Sequence, residues 1–292
     1  MTPLRQRMLE DMSIRNFAQN TQQSYLQQVS LYARHFARSP DAMGPEQIRD
    51  YQVHLVEGRK LAPSSISIAV SALRFLYKVT LKQPWAVDDI PMPKQPFKLP
   101  VILSPEEVMR FLESVNSMKH RAILMAAYAA GLRVSEATHL KVADIDSQRM
   151  MLRVDHGKGQ KDRYVMLSPR LLEELRAYWK AGRPKTWLFP GDIPGQPISR
   201  DAVGQACDRA RRASGLTKPI TPHSLRHAFA THMLERGVDV RRIQLLMGHR
   251  SLATTTRYLK VATSTICATT SPLDLLPNIG PLQPSTQPPS HF

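Results

Sequence analysis

The chain has 292 residues and 33.0 kDa, with 40 Lys and Arg against 24 Asp and Glu, a formal net charge of +16 and a pI of about 10.2. That length supports two domains with separate cores. The charge, spread through both halves, asks for a polyanionic partner, nucleic acid before an anionic membrane surface. No apolar run reaches the roughly 18 residues of a spanning helix, and the opening MTPLRQRMLEDMSIR lacks a signal-peptide core. Cys207 and Cys267 have neither paired nor metal-ligand spacing, so a reducing cytoplasm is expected and a zinc site is not.

Residues 1–83 read as a small all-helical domain. Asn20 can cap a helix whose apolar line runs Tyr25, Val29, Tyr32, Phe36. Pro45 opens a second helix with Ile48, Tyr51 and Leu55 inward, and a third begins near Ser64 and buries Ile66, Val70, Leu73 and Tyr77. The cations left for the outer faces, among them Arg34, Arg38, Arg49, Arg74 and Lys78, suit either solvent or a phosphate backbone. Residues 84–100 hold five prolines and no helical period, which predicts a stiff extended linker and a domain boundary.

The second domain, 101–277, starts with a clear signal: Ser104, Pro105 and Glu107 spell a capping box. Val108, Phe111, Leu112 and Val115 give its helix a buried face, and the apolar AILMAAYAAG helix follows, ended by Gly131. Arg133 comes next, with Glu136 three residues on. Met150–Val154 and Arg163–Leu167 predict two strands joined by a turn at Gly157 and Gly159, with Lys158 at the tip. Lys161 and Arg163 could also approach a phosphate. Helices are expected over 169–181 and 199–213, the latter ending in Arg209, Arg211 and Arg212.

The stretch Thr221–Tyr258 concentrates the chemistry. Thr221 caps a helix with Pro222 at its first position; Leu225, Phe229 and Met233 make one apolar face, and Gly237 closes it. His223 and Arg226, three apart in the first turn, are expected to project together away from that face. Asp239 caps a shorter helix with Val240, Ile243 and Leu246 inward and Gly248 as its stop; His249 follows in a loop, and Ser251 can cap a third helix carrying Tyr258. Taken singly, these are a helix cap, a surface cation and a core tyrosine. Taken together they suit attack by a phenol oxygen on a phosphodiester. A free phenol has a pKa of ~10, which cationic neighbours lower, and arginine forks and imidazole donors stabilise the charge that grows on the phosphoryl oxygens.

The pattern His-x-x-Arg-His, then Gly-His, then a tyrosine nine residues later resembles the tyrosine recombinase (phage-integrase-like) family. GLRVSE at 131–136 resembles that family's first arginine box, and HGKGQKDR at 156–163 its lysine hairpin. The resemblance spans roughly residues 1–260. It implies a mainly α fold with a small antiparallel β-sheet: an N-terminal helical core-binding domain that closes one side of a clamp on DNA, plus an α+β catalytic domain. It implies a catalytic set of Arg133, Lys158, His223, Arg226, His249 and Tyr258, supported by Glu136. Arg133 and Arg226 would clamp the non-bridging oxygens, and His223 would orient Tyr258 and accept its proton. His249 would donate to the phosphate, and Lys158 would protonate the leaving 5′ oxygen.

The product would be a 3′-phosphotyrosyl link, formed without cofactor, metal or ATP. Implied partners are double-stranded DNA bearing specific recombination sites and further copies of the chain, four per synapse, with no membrane. The location implied is the cytoplasm, on the nucleoid. Two positions depart from the family pattern: Met247 stands before the Gly-His in place of leucine, and Leu259-Lys260 follow the tyrosine.

After Tyr258 the composition changes: residues 261–292 hold no Lys or Arg, and prolines cluster towards the end. SPLDLLP is expected to dock on a neighbouring subunit, as the family's tail does, and 278–292 to be a disordered tail. That tail favours a recombinase of a mobile genetic element over a Xer-type chromosome-dimer resolvase. A metal-dependent nuclease would have to use Asp144, Asp146, Asp155 and Asp162, and a catalytically silent DNA-binding accessory protein would not need the full catalytic set.

Overall fold

Among the described residues of the computed structural model, 2–83, 90–94, 101–155, 162–249 and 251–260, the regular structure is twelve α-helices, short 3₁₀ and π turns, and three strands. The predicted turn and Lys158, and the tail from 261, lie outside the described residues. The chain divides into two units, residues 1–98 and 99–292.

The first unit is helical throughout its regular structure. Helix α1 (Pro3–Ile14) is one the periodicity did not announce. Thr2 Oγ1 accepts from the Arg5 amide at 3.4 Å, Pro3 opens the helix, and Met8 and Met12, one turn apart, are buried. Helix α2 (Gln19–Phe36) starts one residue ahead of Asn20; Ala18 stands at the cap position and makes no side-chain cap. The expected cap is therefore an ordinary helical residue. Helix α3 (Pro45–Val53) runs on into a π turn at His54–Gly58. Helix α4 (Pro63–Phe75) does the same at Leu76–Thr80. Both π turns keep an apolar side chain pointed at the core, Leu55 in the first and Leu76 and Tyr77 in the second. Tyr77 donates to the Pro40 carbonyl at 2.8 Å and lies 3.3 Å from the Tyr32 hydroxyl, so two buried phenols are satisfied together. Ile90 also belongs to this core: it is buried, and its carbonyl accepts from the Arg74 guanidinium. Part of the stretch read as linker is thus packed against the first unit.

In the second unit the capping box forms as read. Ser104 Oγ accepts from the Glu107 amide at 3.2 Å, and Glu107 reaches back to the Ser104 amide at 2.8 Å, opening α5 (Pro105–Glu113). Helix α6 (Met118–Ala129) is the central element, with Ala122, Ile123, Leu124, Ala126 and Ala127 buried. Around it pack α5, α7 (Val134–Thr138), α8 (Pro169–Gly182), α9 (Arg200–Ala213) and α10 (Pro222–Glu235). An antiparallel sheet, β1 (Ile145–Asp146), β2 (Met151–Val154) and β3 (Arg163–Met166), runs in the order β1-β2-β3. Leu152 pairs with Val165, both buried, so this register turns one sheet face to the core. Helix α11 (Val240–Met247) and α12 (Leu252–Thr256), continued by a 3₁₀ turn at Arg257–Lys260, complete the described chain. On α11 the deepest residues are Ile243 and Met247; Val240 and Leu246 are only half-buried. None of the described helices is long and apolar enough to cross a membrane.

Candidate active site

Three segments of the second unit meet around one carboxylate. Helix α6 ends at Ala129, and the chain turns at Gly131 with a φ of +61°. An added Cβ there would sit 2.5 Å from the Phe229 ring, so the turn needs glycine for its backbone angle and for its space. The turn delivers Arg133 to the N-cap of α7. Its amide donates to Glu136 Oε2 at 2.8 Å, its Nη1 to Oε1 at 2.6 Å, and its Nη2 to the Gly248 carbonyl at 3.3 Å.

Glu136 is 7% exposed and serves three arginines. Arg163, at the start of β3, forks onto it with Nη1 and Nη2, at 2.9 and 2.8 Å, and spends Nε on the Leu246 carbonyl at 2.8 Å. Arg163 was read as a possible phosphate contact; its guanidinium instead ties the sheet to α7 and to the end of α11. Arg226 Nη1 lies 3.6 Å from the same carboxylate. Burial alone would raise the Glu136 pKa; the hydrogen bonds and charge of Arg163, then Arg133, outweigh it and hold the group at about 2.

The placement of Arg226 corrects an expectation. It does not project away from the apolar face of α10: it is 1% exposed and is the largest fully buried side chain among the described residues. Its Nη1 donates to the Gly131 carbonyl and its Nη2 to the Met247 carbonyl. Both acceptors lie at helix C-termini, α6 and α11, where unpaired carbonyls concentrate partial negative charge. That is what makes an inward guanidinium tolerable. Burial, then the charges of Arg133 and Arg163, lower its pKa to about 9, against the opposing pull of Glu136. Three cations facing one anion leave this cluster with surplus positive charge, which is the electrostatic signature of a site that receives an anion.

Gly248 ends α11 with a φ of +60°, and an added Cβ would lie 3.0 Å from Arg163 Nη1. It releases His249 into the loop. His249 Nδ1 lies 2.8 Å from Thr255 Oγ1, and the ring stacks on Tyr258 with centroids 6.4 Å apart at 14°. Tyr258, in the 3₁₀ turn, is 1% exposed and packs with Phe229, Ala230, Leu234, Ile243 and Met247. Its hydroxyl lies 2.7 Å from Nδ1 of His227. His227 was given no role from sequence. The exposed His223, one turn earlier, meets His227 edge-on with centroids 4.3 Å apart. The structure therefore brings Arg133, Glu136, Arg226, His249 and Tyr258 into one region, with His223 at its edge and His227 and Arg163 added. The signal for His227 was present: it follows Arg226 directly and repeats His223 at helical spacing.

Three of the four carboxylates that a metal-dependent nuclease would use are held in other contacts. Asp144 accepts from the Lys141 amide at 2.8 Å and from Arg153 at 3.1 Å; Asp146 holds the amides of Gln148 and Arg149 in a turn; Asp155 pairs with Lys141 at 3.2 Å. Among the described residues, no group of three His, Cys, Asp or Glu is arranged to hold a metal ion.

A helical N-terminal unit, a catalytic unit with a small sheet, and an arginine-rich site beside a tyrosine define a DNA strand-transferase class of fold. The model for the phage integrase family matches residues 102–265, and the model for the phage integrase N-terminal SAM-like domain matches residues 4–87. A putative integrase/recombinase of Sinorhizobium fredii is 64% identical over 289 residues, covering 99% of this chain and 94% of that protein. The tyrosine recombinase XerC of Lactobacillus delbrueckii is 33% identical over 267 residues, covering 85% of this chain and 90% of that protein. The crystal structure of XerH site-specific recombinase bound to palindromic difH substrate has a TM-score of 0.70 at 22% identity, covering 88% of this chain and 80% of that one, a likeness of fold. The chain belongs to the phage integrase family, and it is a tyrosine recombinase.

Proposed function

We propose that this enzyme cleaves and rejoins double-stranded DNA at specific recombination sites through Tyr258, in the cytoplasm and on the nucleoid, for a mobile genetic element. One observation carries the reading: a buried tyrosine shares a site with three guanidiniums that have a single carboxylate between them. The scissile phosphate supplies the missing negative charge. Arg133, the more exposed of the proposed clamp, meets its non-bridging oxygens first, and Arg226 adds charge and donors from one layer deeper. In this reading the Thr255 hydroxyl, 2.8 Å from Nδ1, donates to His249, which leaves the ring its proton on Nε2 to offer to the phosphate. Lys158 protonates the leaving 5′ oxygen, and an imidazole of α10 accepts the phenol proton.

The phosphotyrosyl bond keeps the energy of the broken phosphodiester, so a 5′ hydroxyl from a partner strand can reseal it without ATP. Each chain cuts one strand, so exchange between two duplexes takes four chains. The high identity to a relative named integrase/recombinase supports the mobile-element role over Xer-type resolution of chromosome dimers.

The test is a suicide-substrate assay on nicked DNA from the region flanking the gene, with EDTA present. Wild type is expected to form a covalent protein–DNA adduct and Tyr258→Phe none. Binding without any adduct would remove the enzymatic reading, and an adduct persisting in Tyr258→Phe would mean another nucleophile.

A further inference from the structure

Attack by Tyr258 requires an acceptor for its proton, and the surroundings of the ring restrict what that acceptor is. At 1% exposure, walled by Phe229, Leu234, Ile243 and Met247, the phenol is not solvated by bulk water. The group held against its hydroxyl is a side chain of the protein. The geometry points to His227 as the catalytic base that deprotonates Tyr258, in place of the histidine that the family-like motif suggests, His223. The assignment rests on the tyrosine-nucleophile reading and deepens it.

His227 Nδ1 stands 2.7 Å from the Tyr258 hydroxyl, inside the range for direct proton transfer. The other two imidazoles are placed for other work. His249 lies parallel to the tyrosine ring and directs Nδ1 to Thr255 at 2.8 Å. His223 is exposed and touches His227 edge-on at 4.3 Å and 70°, so the pair runs along α10 from the phenol to the surface. Such a pair is a route by which a proton taken inside can be relayed outward.

Both histidines are held by one helix, and α10 is anchored by the inward Arg226 between them in sequence. The phenol is thus fixed from the 3₁₀ turn and its acceptor from α10, each on a packed element. Among the described residues, the charge that acts on Tyr258 is Arg226 of α10, which itself faces Arg133 and Glu136 at α7 and Arg163 at β3, and His249 lies across the tyrosine ring.

The step balances as follows. Neutral His227 takes the phenol proton on Nδ1 while the Tyr258 oxygen bonds to phosphorus. The bond from phosphorus to the 5′ oxygen breaks, and that oxygen receives the proton of Lys158. In rejoining, the 5′ hydroxyl gives its proton back to Lys158 as its oxygen attacks phosphorus, the bond from phosphorus to the tyrosine oxygen breaks, and His227 returns its proton to the departing phenolate. Two imidazole roles that sequence patterns assign to one residue are divided here: His227 at the phenol and His223 at the solvent.

The deciding experiment is single-turnover adduct formation between pH 5.5 and 9. Its substrate is a nicked duplex with sulfur in place of the bridging 5′ oxygen, a leaving group that departs without an acid. Wild type, Tyr258→Phe, His227→Asn and His223→Asn are compared. Asn keeps a polar atom close to the position of Nδ1 and cannot serve as a base at these pH values, so a purely positioning role would be largely rescued. The wild-type rate is expected to rise through the imidazole range and then level. His227→Asn is expected to lose about 100-fold at pH 7, the low end of what a general base supplies, and to keep rising towards the phenol range. His223→Asn, which removes only the outward half of the pair, is expected to lose less than His227→Asn at pH 7 and to keep the rise through the imidazole range.

A His227→Asn enzyme with the wild-type rate and profile, or a His223→Asn enzyme that alone loses the pH limb, overturns the assignment and leaves the recombinase reading standing. If His227→Asn does not bind the duplex, the wild-type profile decides: a flat profile from pH 5.5 to 8.5 overturns it. Absence of any adduct in wild type would remove the tyrosine-nucleophile reading and this assignment with it.

Discussion

Arg163 and Glu136 face each other fork to fork: both terminal nitrogens of the guanidinium lie within 2.9 Å of the two carboxylate oxygens. Oε1 of Glu136 also accepts from Arg133 at 2.6 Å, so a residue on the sheet and a residue proposed to touch the phosphate share one oxygen atom. Fold and chemistry are coupled through that atom.

Glu136→Gln is expected to destabilise the second unit by about 3 kcal/mol, because it leaves buried guanidiniums without their counter-charge. The wild type carries a matching pH dependence. The carboxyl titrates at about 2 in the fold against a reference of 4.5. Its stabilising contribution is complete above 4.5 and is lost as the pH falls through that window, on the order of 3 kcal/mol in all. Urea unfolding of wild type between pH 5 and 2 should show the loss, and Glu136→Gln should show a flatter curve.

Arg163→Lys keeps the charge and is still expected to cost about 2 kcal/mol, since one ammonium cannot reproduce the fork and also reach the Leu246 carbonyl. Adduct formation should fall further than DNA affinity, because Arg133 loses the neighbour that fixes its shared acceptor. Arg212→Lys, at an exposed pair with Asp208, should leave both the melting temperature and the adduct rate unchanged.

Gly131→Ala should cost about 3 kcal/mol: roughly 1 for the positive φ and about 2 for a methyl forced against Phe229. Gly237 shares the positive φ, at +77°, but nothing lies within 4 Å of its added Cβ. Gly237→Ala should therefore cost only about 1 kcal/mol. Equal losses for the two in urea unfolding would show that Phe229 yields.

Thr255→Val removes the hydroxyl that fixes His249 while keeping the shape of a fully buried side chain. The adduct rate is expected to drop about tenfold, equivalent to one lost hydrogen bond of roughly 1.4 kcal/mol in the transition state, with DNA affinity unchanged in a gel-shift titration. An unchanged adduct rate would mean that His249 is oriented by other contacts.

Much of the fold was legible locally. The Ser104–Glu107 box, the Thr221 and Asp239 caps and the glycine stops at 131, 237 and 248 all act over a few residues, so spacing alone locates them. Helix α1 was missed because its first unit of buried surface is two methionines inside a strongly charged stretch, where the apolar signal is thin. Asn20 misled for a related reason: a good cap residue also occurs inside helices, and only the backbone angle at Ala18 shows where this one starts.

What the sequence by itself determined was composition, helix punctuation and the identity of the polar residues, because these depend on short-range geometry. What only the tertiary structure decided was direction and partnership. Arg226 turns inward because the carbonyl ends of α6 and α11, remote in sequence, converge on it. Arg163 is committed to Glu136 and to the Leu246 carbonyl, and the phenol of Tyr258 meets His227 because the 3₁₀ turn folds back against α10. A side chain's partner is chosen by whichever charge or dipole the packing leaves unsatisfied nearby, and that is a property of elements brought together across the chain.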